Sequence, residues 1–221
     1  MTILLLASIA LAVAIAWMRG GKLSRLGEMQ FELWWVVPAV AVVQALGARL
    51  GRSPGRFSLS YSRSVTMIAS FAALWIVVWC NRRLPGIWWV LAGVTLNLSV
   101  IAANGGYMPI PPEAAAHTAG REVALQVPVG SALAGSKDIL LPPQQARFWF
   151  LGDVVVIPAP FPWPTAMSIG DIVLAVGIFW FIVRTSQPEE HTDDKPRVRP
   201  EMLSPNRKEG PSHPSATGSG Q

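Results

Sequence analysis

The sequence predicts an all-α, polytopic membrane helix bundle of about five transmembrane helices, with a long proline-rich loop before the last one. Three observations predict it. Of 221 residues, 51% are hydrophobic and only 14% charged, whereas soluble domains carry roughly a quarter charged residues. The apolar residues are grouped in five blocks of 15 to 17 with almost no interior charge, a pattern that a soluble helix with one apolar stripe does not need. Finally, seven of the ten tryptophans lie at block ends that meet on one side if the segments alternate in direction.

The first block, residues 3–17, is almost continuous Leu, Ala, Ile and Val ahead of Arg19-Gly20-Gly21-Lys22. A secretory signal peptide is the rival reading, because Ala14-Ile15-Ala16 resembles a small-residue cleavage site. Met1 and Thr2 supply no basic side chain and the charge follows the block, which favours a retained helix. The other blocks are residues 33–48, 64–80, 87–103 and 169–183. Each makes about 22 to 26 Å of helix, short for a hydrocarbon core of about 30 Å, so flanking residues must complete the span. Trp17, Trp34, Trp35, Trp79, Trp88, Trp89 and Trp180 provide that flank as one interfacial belt. Ser8, Ala12 and Ala16, and likewise Gly93 and Asn97, recur at the four-residue spacing that lets helix backbones approach. Pro38 fits a helix start or a kink.

Residues 104–167 form the long loop, broken by Pro109, Pro111, Pro112, Pro128, Pro142, Pro143, Pro158, Pro160 and Pro164 among others. Within it, residues 148–157 are apolar around Asp153 and too short to span as a helix, hence interfacial, re-entrant or folded over the bundle. The loop is the candidate for a compact extramembrane cap. Residues 185–221 are rich in Pro, Ser, Gly and charge, with too little apolar surface to fold, and read as a disordered tail.

Charge distribution sets orientation. With the N-terminus outside, Arg19, Lys22, Arg25, Arg82, Arg83, Arg184 and the tail are cytoplasmic, as the positive-inside rule requires. Arg49, Arg52, Arg56 and Arg63 then fall outside and argue the other way. The uncharged start and the scarcity of basic residues in the long loop favour N-out, C-in, in a bacterial inner membrane.

Several function classes are excluded or left without support. The basic tail has no aromatic residue for stacking, so nucleic-acid binding is not expected. His117, His191 and His213 have no Cys or His neighbour at ligand spacing, so no metal site is expected. Cys80 is alone and forms no intrachain disulfide. No nucleophile-elbow, phosphate-loop or dinucleotide motif is present, so neither a cofactor nor a catalytic set of residues is visible.

The polar residues inside or beside the blocks are the candidates for a site. Asn104-Gly105-Gly106 stops the fourth helix, as Asn and Gly do in the left-handed conformation, and also exposes backbone groups beside an amide. Asn97 lies two turns earlier on the same face and needs a partner in lipid, either an interhelical hydrogen bond or a polar track to the outer mouth. Ser168-Ile169-Gly170-Asp171 has capping-box spacing, and Asp171 complements the helix dipole. Asp153 is a second carboxylate on the loop. Gln44 reads as an interhelical hydrogen bond and Glu32 as an interfacial charge.

These strings, together with Arg19-Gly20-Gly21-Lys22-Leu23, Asn81-Arg82-Arg83-Leu84-Pro85-Gly86, Asn104-Gly105-Gly106-Tyr107-Met108-Pro109 and Leu151-Gly152-Asp153, resemble the uncharacterised bacterial membrane family known as domain of unknown function 5317. The resemblance covers most of residues 1–184, excludes the tail, and implies a bacterial membrane location without a mechanism. Three readings follow. The first is a non-enzymatic bundle, surrounded by the lipid bilayer, whose outer mouth binds a small polar ligand, an ion or a membrane protein partner through Asn97, Asn104, Gly105, Gly106, Asp153, Ser168 and Asp171. The second is a transporter or channel component, in which Asn97 and Gln44 line a shared cavity. The third is a membrane-bound hydrolase or transferase with paired Asp153 and Asp171.

Overall fold

Runs of Leu, Ile, Val and Ala free of charge can satisfy their backbone polarity within helices, and a helix stands at each of the five predicted blocks. The computed structural model describes residues 2–50, 58–119, 126–133, 136–158, 160–161 and 163–187. Its helices are α1 (Thr2–Met18), α2 (Ser24–Glu28), α3 (Val36–Leu50), α4 (Ser58–Cys80), α5 (Ile87–Ala103), α6 (Pro112–Ala119) and α7 (Ile169–Ser186). Two of them, over Arg63–Cys80 and Ile169–Ser186, are long and apolar enough to cross a membrane; α1, α3 and α5 are apolar but shorter. The predicted tail falls on residues 188–221, outside the described residues, apart from its first residues, which continue α7 to Ser186.

The helix ends shift for local reasons. α3 starts at Val36 and not at 33, because Leu33 takes a left-handed φ of 56° and Val36 N–H bonds back to its carbonyl. Pro38 is then the third helical residue, where no intrahelical N–H is required. α4 begins six residues before the predicted block, through polar Ser58, Ser60 and Ser62, which a hydropathy reading passes over. α7 ends at Ser186 because Gln187, ahead of Pro188, is extended.

The all-α expectation needs correction. Among its described residues the long loop carries four three-residue strands, β1 (Met108–Ile110), β2 (Asp138–Leu140), β3 (Val155–Ile157) and β4 (Thr165–Met167). β1 pairs parallel with β2 and β3 antiparallel with β4. Strands this short, one containing Pro109, show no two-residue alternation long enough to read. Together with α6 they enclose a core of their own, Ile110, Ala114, Ala115, Leu133 and Leu140, with Val127, Val156 and Ala166 packed against it. The loop is therefore a folded cap, rooted in α5 by β1 and in α7 by β4.

Below the cap the neighbours run α1, α7, α5, α4, α3. α5 and α7 are antiparallel and touch through backbone. A Cβ at Gly93 would lie 2.6 Å from the Gly170 carbonyl oxygen, and one at Gly177 would lie 2.6 Å from the Val90 nitrogen. Gly86 meets Gly177 and Phe181 in the same way. Gly86 and Gly93, and likewise Gly170 and Gly177, are seven residues apart, two helical turns, so the small residues line one seam. α1 joins through Ser8, whose hydroxyl donates to the Ala175 carbonyl at 2.8 Å.

At the end away from the cap, Lys22 N–H donates to the Ser186 carbonyl at 2.9 Å and Asn81 holds the backbone of Glu32. The seven predicted belt tryptophans belong to this end, and each is at least 40% exposed.

Candidate functional site: a buried polar cluster under the cap

Where β4 runs into α7, Ser168 is the N-cap. Its hydroxyl accepts from Asp171 N–H at 3.0 Å, and its own N–H donates to Asp171 Oδ2 at 3.3 Å, the predicted capping box. Asn97 of α5 joins from the facing helix. Its Nδ2 donates to Asp171 Oδ1 at 2.7 Å, and its Oδ1 accepts from Ser168 Oγ at 2.8 Å. The three side chains are no more than 1% exposed. The missing side chain of Gly170 makes room, since a Cβ there would overlap the Asn97 amide oxygen. In an apolar surrounding an unpaired amide or carboxylate is costly, and this ring satisfies both.

The cap brings a second set of charges. Met108 N–H donates to the Lys137 carbonyl at 3.1 Å, and Asp153 N–H to the Pro109 carbonyl at 3.0 Å. Both flanking segments are thereby fixed to β1, and Gly152 lies so close to Pro109 that a Cβ would be 2.5 Å from its carbonyl oxygen. Lys137 Nζ reaches Asp153 Oδ2 at 3.1 Å and Oδ1 at 3.3 Å, and lies 3.7 Å from Asp138 Oδ1. Ser136 Oγ donates to Asp138 Oδ2 at 2.5 Å, and Arg63 of α4 donates to the Ser136 carbonyl. Asp138 Oδ1 is buried without a hydrogen-bond partner among the described residues.

Two carboxylates, Asp153 and Asp138, therefore share one ammonium, and the charge of Asp171 acts on it from farther away. Burial pushes the Asp153 carboxyl up to about 7, against the pull of Lys137 and with help from the negative charges of Asp138 and Asp171. Burial alone would lower Lys137, but attraction to Asp153, Asp138 and Asp171 outweighs it and holds the ammonium above its ordinary range. The charge of Asp171 is felt by both partners, so the ring on α5 and α7 and the ion pair in the cap form one electrostatic unit.

Of the residues singled out from sequence, Asn97, Ser168, Asp171 and Asp153 are brought into this unit. Asn104, Gly105 and Gly106 are used otherwise. The Asn104 amide donates to Val100 and Arg147 carbonyls, each at 2.8 Å, and its oxygen accepts from Arg147 N–H at 3.0 Å. Gly105 and Gly106, at φ of 67° and 90°, complete the helix stop, with Gly106 N–H donating to the Ile101 carbonyl at 2.8 Å.

Sequence reasoning missed two features. Asn81 repeats the Asn104 arrangement at the opposite end, donating to Val77 and Glu32 carbonyls and accepting from Glu32 N–H. Lys137 is the only basic residue between Arg121 and Arg147, which marks it in the sequence without naming its partner.

Chemically the cluster can hold and exchange protons. Among the described residues no three His, Cys, Asp or Glu side chains stand close enough to hold a metal ion. The open groove lined by Trp88, Leu91, Ala92, Thr95 and Leu96 is apolar and contains none of the cluster.

No match is found among curated proteins or solved structures. A family model described as a family of unknown function, DUF5317, matches residues 28–183. That span contains both asparagine clamps, the α5–α7 seam, the cap and every residue of the cluster, and the chain belongs to the DUF5317 family.

Proposed function

We propose that the chain is an integral protein of a bacterial cell membrane, with α1, α3, α4, α5 and α7 spanning the bilayer, the N-terminus outside and the tail in the cytoplasm. We further propose that it is a non-enzymatic bundle whose outer mouth, under the cap, binds an ion, and that this ion is the proton. The membrane reading is supported by side chains such as Leu6, Leu11, Val42, Leu46, Ile76 and Val176, all exposed and apolar on helix flanks. Only 28% of Arg63–Cys80 and 33% of Ile169–Ser186 are buried, unlike the core helices of a soluble protein. Exposed Trp149 and Trp163 in the cap segment complement the seven tryptophans at the other end, as two interfacial belts do. The sequence conflict over Arg63 also eases, since its guanidinium serves the cap by bonding Ser136 and lying 5.9 Å over the Tyr107 ring.

The observation that carries the proton reading is the sharing of Lys137 by two acids, Asp153 and Asp138, with Asp153 only 3% exposed. The sign follows from linkage. Asp153 is raised from the 3.8 of a free side chain to about 7, so its contribution to stability is full at acidic pH and is lost as pH rises through 7. At most this is about 4 kcal/mol, at 1.36 kcal/mol per pH unit. Occupancy of the mouth by a small polar ligand or a membrane protein partner then depends on external pH.

Hydrogen exchange of residues 136–157 in lipid nanodiscs, corrected for intrinsic rates, tests it. The cap should loosen progressively as pH rises from about 4 and level off above about pH 7, and Asp153→Asn should flatten the profile. A wild-type cap equally protected from pH 5 to pH 9 refutes the reading. Of the alternatives, a transporter or channel component and a hydrolase or transferase using Asp153 and Asp171, the latter draws support from the charge of Asp171 being felt at Asp153.

A further inference from the structure

A second set of unsatisfied polar atoms lies at the tryptophan-lined end, far along α7 from the cluster. Arg25 Nη1, Thr185 Oγ1, Ser186 Oγ and Gln187 Nε2 are all buried, and none has a hydrogen-bond partner among the described residues. They belong to one locality. α2, which carries Arg25, packs on α7; Lys22 N–H holds the Ser186 carbonyl at 2.9 Å; and Gly21 lies so near that a Cβ would be 2.8 Å from that oxygen. Ser186 is 0% exposed.

The chemistry of the four atoms is one-sided. A guanidinium and an amide NH2 only donate, and two hydroxyls can donate as well. Orphaned buried polar groups each cost about 1–3 kcal/mol, and four of them lie where α2 packs on α7 and at the end of α7. Exposed Arg19 and Arg184 add positive charge beside them, and exposed Trp17 and Trp180 mark the depth of lipid headgroups.

We propose that Arg25, Thr185, Ser186 and Gln187 form an oxyanion site that takes a phosphate group. The phosphate comes from an anionic lipid headgroup or from solution. A guanidinium with hydroxyl and amide donors is suited to phosphate oxygens. The site lies at the opposite end of α7 from the proton-binding mouth and stands independently of it.

The experiment compares thermal unfolding of the full chain in dodecyl maltoside, whose headgroup carries no phosphate, with the same micelles holding phosphatidylglycerol, and with the same micelles holding inorganic phosphate. Ligand binding to the folded state raises the midpoint by mass action. A rise of several degrees in phosphatidylglycerol alone assigns the site to the headgroup; an equal rise with inorganic phosphate assigns it to a free anion. Arg25→Gln should abolish the rise. If that variant does not fold, the paired Thr185→Val and Ser186→Ala changes should at least halve it. Arg184→Gln, which removes an exposed charge next to Thr185, should leave most of it. The proposal is overturned if neither probe raises the midpoint, if the site variants keep the full rise, or if Arg184→Gln removes as much as Arg25→Gln.

Discussion

Substituting alanine at two glycines should move stability in opposite directions, and the reason is the α5–α7 seam. At Gly93 a new Cβ would sit 2.6 Å from the Gly170 oxygen, 2.7 Å from the Leu174 nitrogen and 2.8 Å from Leu174 Cβ. Two of these neighbours are backbone and cannot rotate away, so the helices must separate by most of an ångström to restore ordinary contact. Overpacking of this kind costs about 1–3 kcal/mol. Separation also strains the 2.7 Å bond from Asn97 to Asp171, one turn along the same face. Against this stands the gain of about 1 kcal/mol for alanine over glycine in a helix interior. With about 1 kcal/mol added for the strained hydrogen bond, which offsets the alanine gain, we expect Gly93→Ala to lose about 1–3 kcal/mol net. At Gly47, inside α3, a Cβ meets nothing within 4 Å, so Gly47→Ala should gain about 0.5–1 kcal/mol. Unfolding of both variants and the parent in one detergent, followed by circular dichroism, gives the comparison. If Gly93→Ala is as stable as Gly47→Ala, backbone contact does not hold these helices together.

Three further outcomes are expected. Asn97→Leu strips the Asp171 carboxylate of its strongest partner and leaves the Ser168 hydroxyl without an acceptor, and should cost about 3 kcal/mol in the same unfolding assay; a loss below half that amount would mean the ring is not a structural tie. Asn81→Ala and Asn104→Ala each remove three hydrogen bonds, worth about 2–3 kcal/mol together, and the damage should be local. Hydrogen exchange should rise around Glu32 in the first variant and around Arg147 in the second, and a rise at both places in either variant would contradict separate clamps. A reporter active only in the cytoplasm, fused after Arg184, should be active; an inactive reporter in a stably expressed fusion reverses the topology.

The residues differ in how far sequence alone could place them. The positions of α1, α3, α4, α5 and α7 were legible because charge-free runs have a length that only helices use economically. Their ends were less so, since polar Ser58 to Ser62 continue a helix that hydropathy would stop. The Ser168–Asp171 box was legible from its spacing, being local. The partner of Asn97 was open between a neighbouring helix and a polar track, because it depends on the register of α5 against α7. That register follows from glycines at matching seven-residue intervals, a pattern present in the sequence and unread. Lys137 stands out in sequence as a lone basic residue, but its pairing with Asp153 does not. It meets Asp153 only because β1 pairs with β2 across a long intervening stretch, and nothing local to the Ser-Lys-Asp string announces that pairing. The helix stop at Asn104-Gly105-Gly106 is legible from its residue types, whereas the engagement of the Asn104 amide with the Arg147 backbone spans the loop and is not.

The cap springs from the end of α5 and returns into the start of α7, the two helices whose backbones are in contact. Anything that tugs on the cap thus pulls both at once. Neither can slide past its neighbour without driving a carbonyl into the spot that a glycine leaves bare, so the pair behaves as one stiff rod. A disturbance at the cap should reach the tryptophan-lined end as a tilt of that rod, shared by α1 on one flank and α4 on the other.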